Sequence, residues 1–426
     1  MKKLSLETLC VQAGYEPENG EPRIPPIYQS TTYKYDSADQ VADLFDLKQA
    51  GHMYSRISNP SLDFFEQKIA ALEGGVGALA TSSGQSATLL SILTICQKGD
   101  HILAFNNLYG GSFTLLNSTL RNFGITSTFV DLDADDKEIE GAIKENTKLI
   151  FGETLGNPGV RVLDIERIAN LAHKNGIPLV VDNTFPTPYL CRPFEYGADI
   201  ITHSTTKYID GHATSVGGII VDSGKFDWTR GKFDCLTDPD PDYHGISYTE
   251  TFKESAYITR ARVVFMRDLG NVMSPFNAFL TNLGTETLAL RMERHSSNAL
   301  KVAQFLEDNP NVEWVNYPLL KSNVDYDLAK KYLKDGASGV ISFGVRGGVE
   351  EGKKFIDSLK LASLVVHVAD TRTHVLHPAS MTHRQLSAED QEAGGIKPNM
   401  VRLSVGIENV DDIIEDLEQA LKKSQL

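Results

Sequence analysis

Lys207 and Asp182 are the two side chains whose types and positions could perform carbonyl chemistry. Lys207 follows an apolar run and several small hydroxyl residues, and a partly buried lysine has a lowered pKa that frees its amine to form an imine with an aldehyde. Asp182 ends another apolar run, where a carboxylate could keep a pyridine nitrogen protonated so that the ring accepts electrons from a substrate carbanion. The pair predicts a site for pyridoxal 5'-phosphate.

Each of these residues has a simpler interpretation when it is considered alone. Most lysines are solvated surface residues, and an aspartate after an apolar strand is often a helix cap or a metal ligand. The presence of both residues, each close to the end of an apolar run, favours the cofactor site over these alternatives.

A phosphate site is predicted by the small residues that precede the apolar helical run Thr88–Cys96. Backbone N–H groups at a helix start lack intrahelical partners, and the helix dipole favours an anion there. The candidate phosphate-binding residues are Ser83, Gly84, Gln85, Ser204 and Thr206. An ordinary helix N-cap is the alternative. The chain has neither a Gly-x-x-x-x-Gly-Lys-Ser/Thr motif nor a Gly-x-Gly-x-x-Gly motif after a strand, which disfavours a P-loop and a dinucleotide-dependent dehydrogenase.

Four further side chains could complete such a site. Tyr109 could stack on the cofactor ring, although Tyr-Gly-Gly sequences also occur in simple turns. Tyr54 and Arg56 offer a hydroxyl and a guanidinium for a phosphate from an irregular N-terminal segment. Arg402 lies in a short apolar run, where its guanidinium could bind an amino-acid carboxylate or form an internal salt bridge.

Short apolar strands alternate with helical stretches from about residue 61, which predicts an α/β fold with a largely parallel sheet. The predicted strands are His101–Phe105, Ser127–Asp131, Leu149–Glu153, Pro178–Asp182 and Asp199–His203. Ligands of open α/β sheets bind at the carboxyl ends of the strands. The residues at or just beyond those ends are Tyr109, Asn157, Asp182 and Lys207, and we expect them at one edge of the sheet.

We predict three parts along the chain. Residues 1–60, rich in Pro, Tyr and Ser/Thr, form an irregular arm that contributes to a neighbouring subunit's site; residues 61–273 form the cofactor-binding domain; and residues 274–426 form a smaller C-terminal α+β domain. Within the last part, apolar spacings of four and three predict one long helix over 288–306. The final helix is predicted to start at Asn409, a residue suited to an N-cap.

Composition excludes several classes of protein. The chain of 426 residues has a net charge of -15, which argues against nucleic-acid and acidic-membrane partners, and no apolar stretch has the length of a membrane span. The four cysteines are widely spaced, which is typical of reduced thiols and predicts a cytoplasmic protein. His377 and His383 flank a segment that we interpret as a structural loop, and no metal site is predicted.

Several of these motifs, in this order, resemble the pyridoxal-phosphate enzymes of Cys/Met metabolism. The matching segments, which extend over essentially the whole chain, are Tyr54–Pro60, Ser83–Gln85, Tyr109–Gly111, Glu153–Pro158, Asp182–Thr184, His203–Lys207 and Arg402–Glu408. The resemblance is closest to the O-acetylhomoserine sulfhydrylase branch, on the basis of Gln85, the insert around Pro239–Gly245 and the segment 377–383. Methionine γ-lyases typically carry Cys where this chain has Gly111.

The resemblance implies the aminotransferase-like type I fold, pyridoxal 5'-phosphate as cofactor, and a homotetramer of two catalytic dimers. It implies that Tyr54 and Arg56 serve the phosphate of the partner subunit, with Tyr54 also near substrate. Asn157 would bond the ring hydroxyl, and Tyr109 would stack on the ring and assist proton transfer. Lys207 would hold the cofactor and move protons, with Asp182 and Tyr109 as the other catalytic residues, and Arg402 would bind the substrate carboxylate.

The implied reaction is γ-replacement on small molecules: O-acetyl-L-homoserine and sulfide, or a thiol, give L-homocysteine, or a thioether such as methionine, and acetate. The alternatives are a γ-elimination lyase acting on methionine or cystathionine, and a cofactor-binding protein without catalysis. Two departures from the family pattern stand out. Leu155 replaces a usual Pro, and His367-Val368-Ala369-Asp370 replaces the more usual Asn-x-Gly-Asp near the substrate carboxylate, where a histidine is bulkier and can be charged.

Overall fold

A seven-stranded sheet forms the centre of the computed structural model, which describes residues 4–334, 336–381, 384 and 395–426. Its strands are β1 (Gly77–Thr81), β2 (His101–Phe105), β3 (Thr126–Val130), β4 (Thr147–Glu153), β5 (Leu179–Asp182), β6 (Ile200–His203) and β7 (Gly218–Asp222). They lie in the order β1-β7-β6-β5-β4-β2-β3. All neighbours from β3 to β6 pair in parallel, and β7 is antiparallel to β6 and β1. The predicted α/β class with a mostly parallel sheet is confirmed.

The five strands predicted from the sequence are present, with ends that differ by at most two residues. The long apolar runs are buried from end to end, as expected for strands covered on both faces. The prediction missed β1 and β7. Their sequences, Gly-Ala-Leu-Ala-Thr and Gly-Ile-Ile-Val-Asp, start with glycine and are short, and they form strands by pairing with each other across the chain.

Helices surround the sheet, and α3, α4 and α7 contact its strands. The α-helices are α1 (Leu6–Gln12), α2 (Ala38–Phe45), α3 (Pro60–Glu73), α4 (Gly84–Leu93), α5 (Gly110–Thr114), α6 (Asp136–Ala142), α7 (Ile165–Lys174), α8 (Thr187–Leu190), α9 (Asp234–Thr237), α10 (Tyr248–Phe252), α11 (Ala256–Arg260), α12 (Arg267–Leu269), α13 (Pro275–Glu286), α14 (Leu288–Glu307), α15 (Tyr326–Tyr332), α16 (Val349–Ser358) and α17 (Val410–Ser424). Shorter 3-10 and π-helical turns are Leu115–Thr119, Leu120–Phe123, Pro193–Tyr196, Pro241–Tyr243, Lys253–Ser255 and Ala261–Met266.

Among the described residues, none of the helices is both long and apolar enough to cross a bilayer. The prediction of an irregular segment over 1–60 is wrong in part, because α1 and α2 lie within it. The Ser37 side chain accepts a hydrogen bond from the backbone N–H of Gln40 and caps α2, while α1 packs against α3. A short amphipathic helix of this kind gains its stability from packing, which explains why its sequence signal is weak.

A second, five-stranded sheet lies in the C-terminal part. Its strands are β8 (Val312–Asn316), β9 (Val340–Val345), β10 (Ser363–Leu364), β11 (His374–Leu376) and β12 (Met400–Ser404), in the order β10-β11-β12-β9-β8. The predicted long helix is α14, and the predicted final helix is α17, where Asn409 accepts a hydrogen bond from the N–H of Asp411 as the N-cap. The boundaries at 60/61 and 273/274 stay predictions.

The apolar core divides into two clusters of buried residues. Successive residues of a strand point to opposite faces of the sheet, and they fall alternately into the two clusters. In β2, Ile102 and Ala104 belong to one cluster, and Leu103 and Phe105 to the other. Both faces of the sheet are therefore covered by apolar side chains.

Asp325, at the start of α15, ties the C-terminal part of the chain to the loop that follows β4. Its carboxylate lies 2.7 Å from Arg161 Nε and accepts the backbone N–H of Val162 at 3.0 Å. The Asp325 residue is buried, whereas the second carboxylate on the same guanidinium, Asp133, is largely exposed. A buried partner of an ion pair leaves an uncompensated charge when it is removed, and an exposed one does not.

We therefore expect Asp325→Ala to lower the free energy of unfolding by about 3 kcal/mol. Asp133→Ala, which removes the exposed partner of the same Arg161, should cost less than about 1 kcal/mol. Thermal unfolding followed by circular dichroism compares the two variants. Equal losses of stability would contradict a special role for the buried contact.

Candidate active site

A cavity of about 270 Å³ opens where the parallel strands end. The residues of the sequence prediction that line it are Ser83, Gly84, Gln85, Tyr109, Asn157, Asp182, Ser204, Thr206, Lys207 and Arg402. The strand ends of the seven-stranded sheet supply most of them, α4 supplies its N-terminal residues, and β12 of the other sheet supplies Arg402. The expectation that Tyr109, Asn157, Asp182 and Lys207 converge at one edge is thus met in space.

Lys207 lies just beyond β6, is half-buried, and lines the cavity. Its Nζ atom is 3.3 Å from Nδ1 of His367. The pKa of Lys207 is lowered to about 8, chiefly by burial and secondly by the positive charge of Arg402, against an opposing effect of Asp370. A substantial fraction of this amine is therefore neutral and nucleophilic near neutral pH.

Asp182 and Glu153 form a pair of neighbouring carboxyl groups, because they are register partners at the ends of β5 and β4. Burial raises the pKa of Asp182. Hydrogen bonds from Thr184 lower this pKa, and so does the electrostatic effect of the nearby His203. Burial and the charge of Asp182 also raise the pKa of Glu153 well above its ordinary value. A cationic group bound beside Asp182 would offset this burial and favour the carboxylate form.

Glu153 is a site residue that the sequence prediction did not assign. It lines the cavity, and its Oε1 atom accepts the backbone N–H of Tyr109 at 2.7 Å. The available signal was its place as the last residue of an apolar strand, the same signal that identified Asp182. Glu153 thereby holds the turn that carries the Tyr109 ring.

The N-terminus of α4 meets the Lys207 loop at Gly84. A Cβ atom on Gly84 would lie 2.6 Å from the Cβ atom of Ser204, so only glycine permits this approach. The helix starts at Gly84 rather than at Thr88 because the Ser83 side chain accepts the N–H of Ser86 as the N-cap. The first N–H groups of the helix thus belong to the same cavity as the basic side chain of Lys207, and together these donors favour binding of an anion.

Thr206 and Ser204 are tied to the protein by different groups, the side-chain hydroxyl of Thr206 and the backbone N–H of Ser204. The Thr206 hydroxyl donates to the carbonyl of Gly217 at 3.1 Å and accepts the N–H of the same residue at 3.0 Å. The backbone N–H of Ser204 donates to Thr184 Oγ1 at 2.9 Å. Phosphate binding by either hydroxyl stays a prediction.

Gly111 permits the close approach of Tyr109 and Gln85. A Cβ atom at this position would lie 2.5 Å from the Tyr109 ring and 2.6 Å from the Gln85 side-chain nitrogen. The Tyr109 ring is 48% exposed, so one face is available for stacking on a planar ligand.

Arg402 is a buried cation for which no acidic side chain among the described residues forms an ion pair. Its Nη1 atom donates to Asn157 Oδ1 at 3.0 Å, and its Nη2 atom donates to the carbonyl of His367 at 3.0 Å. Burial lowers the pKa of Arg402 to about 10. A buried guanidinium held by neutral acceptors favours binding of an external carboxylate over the internal salt bridge considered above.

Tyr54 and Arg56 are not among the described residues that line this cavity. The Arg56 side chain donates to the carbonyl of Arg267 and lies 5.4 Å from the centre of the Tyr54 ring. Tyr54 is 45% exposed. The single chain therefore does not bring these two residues to its own cavity.

The described residues contain no cluster of His, Cys, Asp or Glu that could hold a metal ion. His377 is bonded to Ser380 at 2.8 Å and lies 3.0 Å from the carbonyl of Pro398, in keeping with a structural role, and His383 lies outside the described residues. The cavity does suit pyridoxal phosphate: it places an amine of lowered pKa, a carboxyl group, an exposed aromatic face and a helix N-terminus within one volume.

Comparison with known proteins agrees with this geometry. The family model of the Cys/Met metabolism PLP-dependent enzymes matches residues 7–422. The O-acetyl-L-homoserine sulfhydrylase of Leptospira meyeri is 48% identical over 98% of this chain and 96% of its own length. The homocysteine synthase of Schizosaccharomyces pombe is 48% identical over 98% of both chains.

A solved structure from Campylobacter jejuni, assigned as an O-acetylhomoserine (thiol)-lyase and containing a pyridoxyl-lysine monophosphate, superimposes with a TM-score of 0.95. It is 39% identical and covers 98% of this chain and 100% of its own. This agreement confirms the fold predicted from the resemblance.

The lowered pKa of Lys207 can be measured without any substrate. In the full-length chain free of bound aldehyde, competitive acylation followed by peptide mass spectrometry should give half-maximal reactivity of Lys207 near pH 8, because only the neutral amine reacts. An ordinary lysine has its midpoint near about 10.4. Arg402→Gln should move the midpoint upward, since a nearby positive charge is removed. A wild-type midpoint equal to that of exposed lysines would contradict the burial of this amine.

Proposed function

Since the chain belongs to the Cys/Met metabolism PLP-dependent enzymes, we propose that it catalyses γ-replacement on O-acetyl-L-homoserine. Sulfide, or a thiol, takes the place of acetate, and the product is L-homocysteine or a thioether such as methionine. The full-length identity of 48% to an O-acetyl-L-homoserine sulfhydrylase and to a homocysteine synthase supports this reaction. The observation in this chain that carries the proposal is one cavity that holds Asp182, the Lys207 amine with its lowered pKa, and Arg402, which forms no ion pair with the described acidic residues.

Pyridoxal phosphate, when bound, supplies an electron sink that makes the Cα and Cβ protons of the substrate acidic. We assign Lys207 to its aldehyde carbon and Asp182 to its pyridine nitrogen. The residues assigned to its ring and phosphate are Tyr109, Asn157, Ser83, Gly84, Gln85, Ser204 and Thr206. Because Gly84 and Gln85 start α4, their backbone N–H groups offer donors that no side-chain substitution removes.

Lys207 is the proposed acid and base of the reaction. A neutral amine can accept the Cα proton and return it, and a pKa of about 8 allows both states near neutral pH. Arg402 binds the substrate carboxylate through its paired N–H groups, which fixes the Cα–H bond relative to Lys207. Tyr109 is assigned to packing against the bound ring and to proton transfer, and Glu153 holds this residue in place by accepting its backbone N–H.

Gly111 distinguishes this chain from the methionine γ-lyases. A cysteine at this position, as in methionine γ-lyases, would place its Cβ atom 2.5 Å from the Tyr109 ring. The ring and Gln85 therefore occupy space that a lyase-type side chain would need. This packing is specific to a chain with glycine here.

A product assay tests the reaction. The purified enzyme with O-acetyl-L-homoserine and sulfide should form homocysteine and acetate in equal amounts, whereas methionine or cystathionine alone should give no keto acid or ammonia. Lys207→Ala should lower kcat by at least about 10³-fold, because it removes the proposed base and nucleophile. Keto acid and ammonia as the main products would establish elimination instead.

We also propose that the enzyme is a homotetramer of two catalytic dimers and works in the cytoplasm. The four cysteines are free thiols, which suits a reducing compartment. The positions of Tyr54 and Arg56 support the dimer, because neither residue lines the cavity of its own chain. We propose that both bind the phosphate in the partner subunit's site and that Tyr54 also lies close to the substrate there.

Mixed subunits test this sharing. Lys207→Ala and Arg56→Ala are each expected to be nearly inactive. If Arg56 serves the partner's site, a hybrid dimer of the two variants contains one site with both native residues and should have about half the wild-type activity. Random reassociation of equal amounts makes about half of the dimers hybrids, so the mixture should recover about a quarter of the wild-type activity. No recovery in hybrids whose formation is verified by native mass spectrometry would show that Arg56 acts within its own chain.

A further inference from the structure

His367 is the polar side chain in direct contact with the Lys207 amine, and neither the reaction proposed above nor the roles assigned there make use of it. We infer that His367 is a positioning residue for Lys207: its neutral imidazole accepts a hydrogen bond from the lysine amine and thereby turns the nitrogen lone pair toward the cavity. The residue stands where the family more usually has Asn.

The direction of the hydrogen bond follows from the donors available. Lys207 Nζ lies 3.3 Å from His367 Nδ1. Lysine ammonium, the main form of Lys207 at neutral pH, has only donors, so Nδ1 accepts from it and the proton of the neutral ring lies on Nε2. Nε2 has no hydrogen-bond partner among the described residues, and we infer that the neutral amine keeps the same direction by donating one N–H to Nδ1. With one N–H held by His367, the lone pair of the neutral amine points away from the imidazole.

The surroundings keep the imidazole neutral. The charged and titratable groups that face it are Lys207, Arg402, His374 and Asp370, and only Asp370 favours the protonated ring. The nearest carboxylate oxygen of Asp370 is 3.8 Å from His367 Nε2, a distance too long for a hydrogen bond. Burial, and next the charge of Lys207, lower the pKa of His367 to about 4, so the ring is an acceptor over the whole neutral range.

The backbone around His367 is held from two sides. Its carbonyl accepts Arg402 Nη2, the N–H of Ala369 donates to Ser404 Oγ at 2.8 Å, and the N–H of Thr371 donates to the carbonyl of Gly211 in the loop after Lys207. Ala369 has a φ of 73°, a left-handed conformation that residues with a Cβ atom seldom adopt. The turn is thus fixed by β12 and by the lysine loop together.

A second histidine supports the ring itself. His374 stacks on His367 with ring centres 5.7 Å apart and planes inclined by 25°. Its Nδ1–H donates to the carbonyl of Arg372 at 2.8 Å, which fixes its own orientation. The imidazole of His367 cannot swing away from Lys207 without losing this stack, so the amine is held in a defined position whenever it carries no covalent bond.

The first test needs no substrate and therefore stands apart from the proposed reaction. Pyridoxal phosphate is removed from the full-length enzyme and added back, and the rate at which the bound chromophore forms reports attack of the Lys207 amine on the aldehyde, with loss of water. We expect His367→Ala to slow this rate about fivefold to tenfold, the equivalent of one lost hydrogen bond. His367→Asn, whose carboxamide oxygen replaces Nδ1 as acceptor, should stay within about twofold of wild type.

The second test uses the holoenzyme and rests on the proposed function. With O-acetyl-L-homoserine deuterated at Cα, His367→Ala should lower kcat by a similar factor and raise the primary isotope effect on kcat, while KM changes little, because proton removal by a less ordered amine becomes slower. His244→Asn is the matched control: it removes an imidazole that is 79% exposed, at a backbone φ of 55° that Asn tolerates, and should change neither measurement.

The outcomes are separable. Normal chromophore formation in His367→Ala, or an Asn variant as slow as the Ala variant, would overturn the positioning role. A rise in KM at unchanged kcat and unchanged chromophore formation would overturn it in favour of substrate binding by His367. If the wild type failed to turn over O-acetyl-L-homoserine, the proposed function would fail, yet the rate of chromophore formation would still decide the role of His367.

Discussion

The register of three neighbouring parallel strands is the constraint on which the candidate active site depends. Glu153 of β4 is the partner of Asp182 of β5, and Asp182 is in turn the partner of Thr202 of β6. A shift of one residue in any of these pairings would turn Asp182 to the opposite face of the sheet. The backbone ladder and the buried apolar side chains fix that register, so the polar groups at the strand ends contribute little to their own placement.

The charges of the site are divided between the two sheets. The seven-stranded sheet contributes the buried carboxyl groups Asp182 and Glu153, whereas Arg402 comes from β12 of the five-stranded sheet and faces Lys207. Arg402 is held by neutral oxygen atoms, and Lys207 by a neutral imidazole. Within the described part of the chain, neither cation has a direct carboxylate partner, which favours anionic ligands, and the proposed substrate carboxylate fits that requirement.

Glycine residues set how closely the elements of the site can approach. Gly84 allows the first turn of α4 to approach Ser204, and Gly111 allows the side chains of Tyr109 and Gln85 to pack close to the backbone. Both glycines lie in motifs that the sequence showed, but the structure gives their physical reason: an added Cβ atom would clash with Ser204 at Gly84, and with the Tyr109 ring and Gln85 at Gly111. The substitution of Gly111 by a larger residue therefore acts on the Tyr109 ring rather than on the local backbone.

Much of the fold was predictable because its signals are local. Uninterrupted apolar runs gave the inner strands, and the side chain of Asn409 marked the start of α17. The prediction was weaker where an element is stabilised by distant contacts. The helices α1 and α2 lie in a segment expected to be irregular, and the missed strand β1 pairs with β7, which in turn pairs with β6. Glu153 was missed as a site residue although it ends an apolar strand as Asp182 does, because its bond to Tyr109, 44 residues away, shows only in the tertiary structure.

The sequence by itself determined the α/β class, the strand ends and the identities of Lys207 and Asp182, since apolar periodicity and the residues at strand ends act over a few positions. Only the tertiary structure decided which neutral partners surround the two cations. The contact between Lys207 and His367 joins residues 160 positions apart, and that between Arg402 and Asn157 joins residues 245 positions apart. Such pairs depend on how the two sheets pack, and no spacing along the chain encodes them.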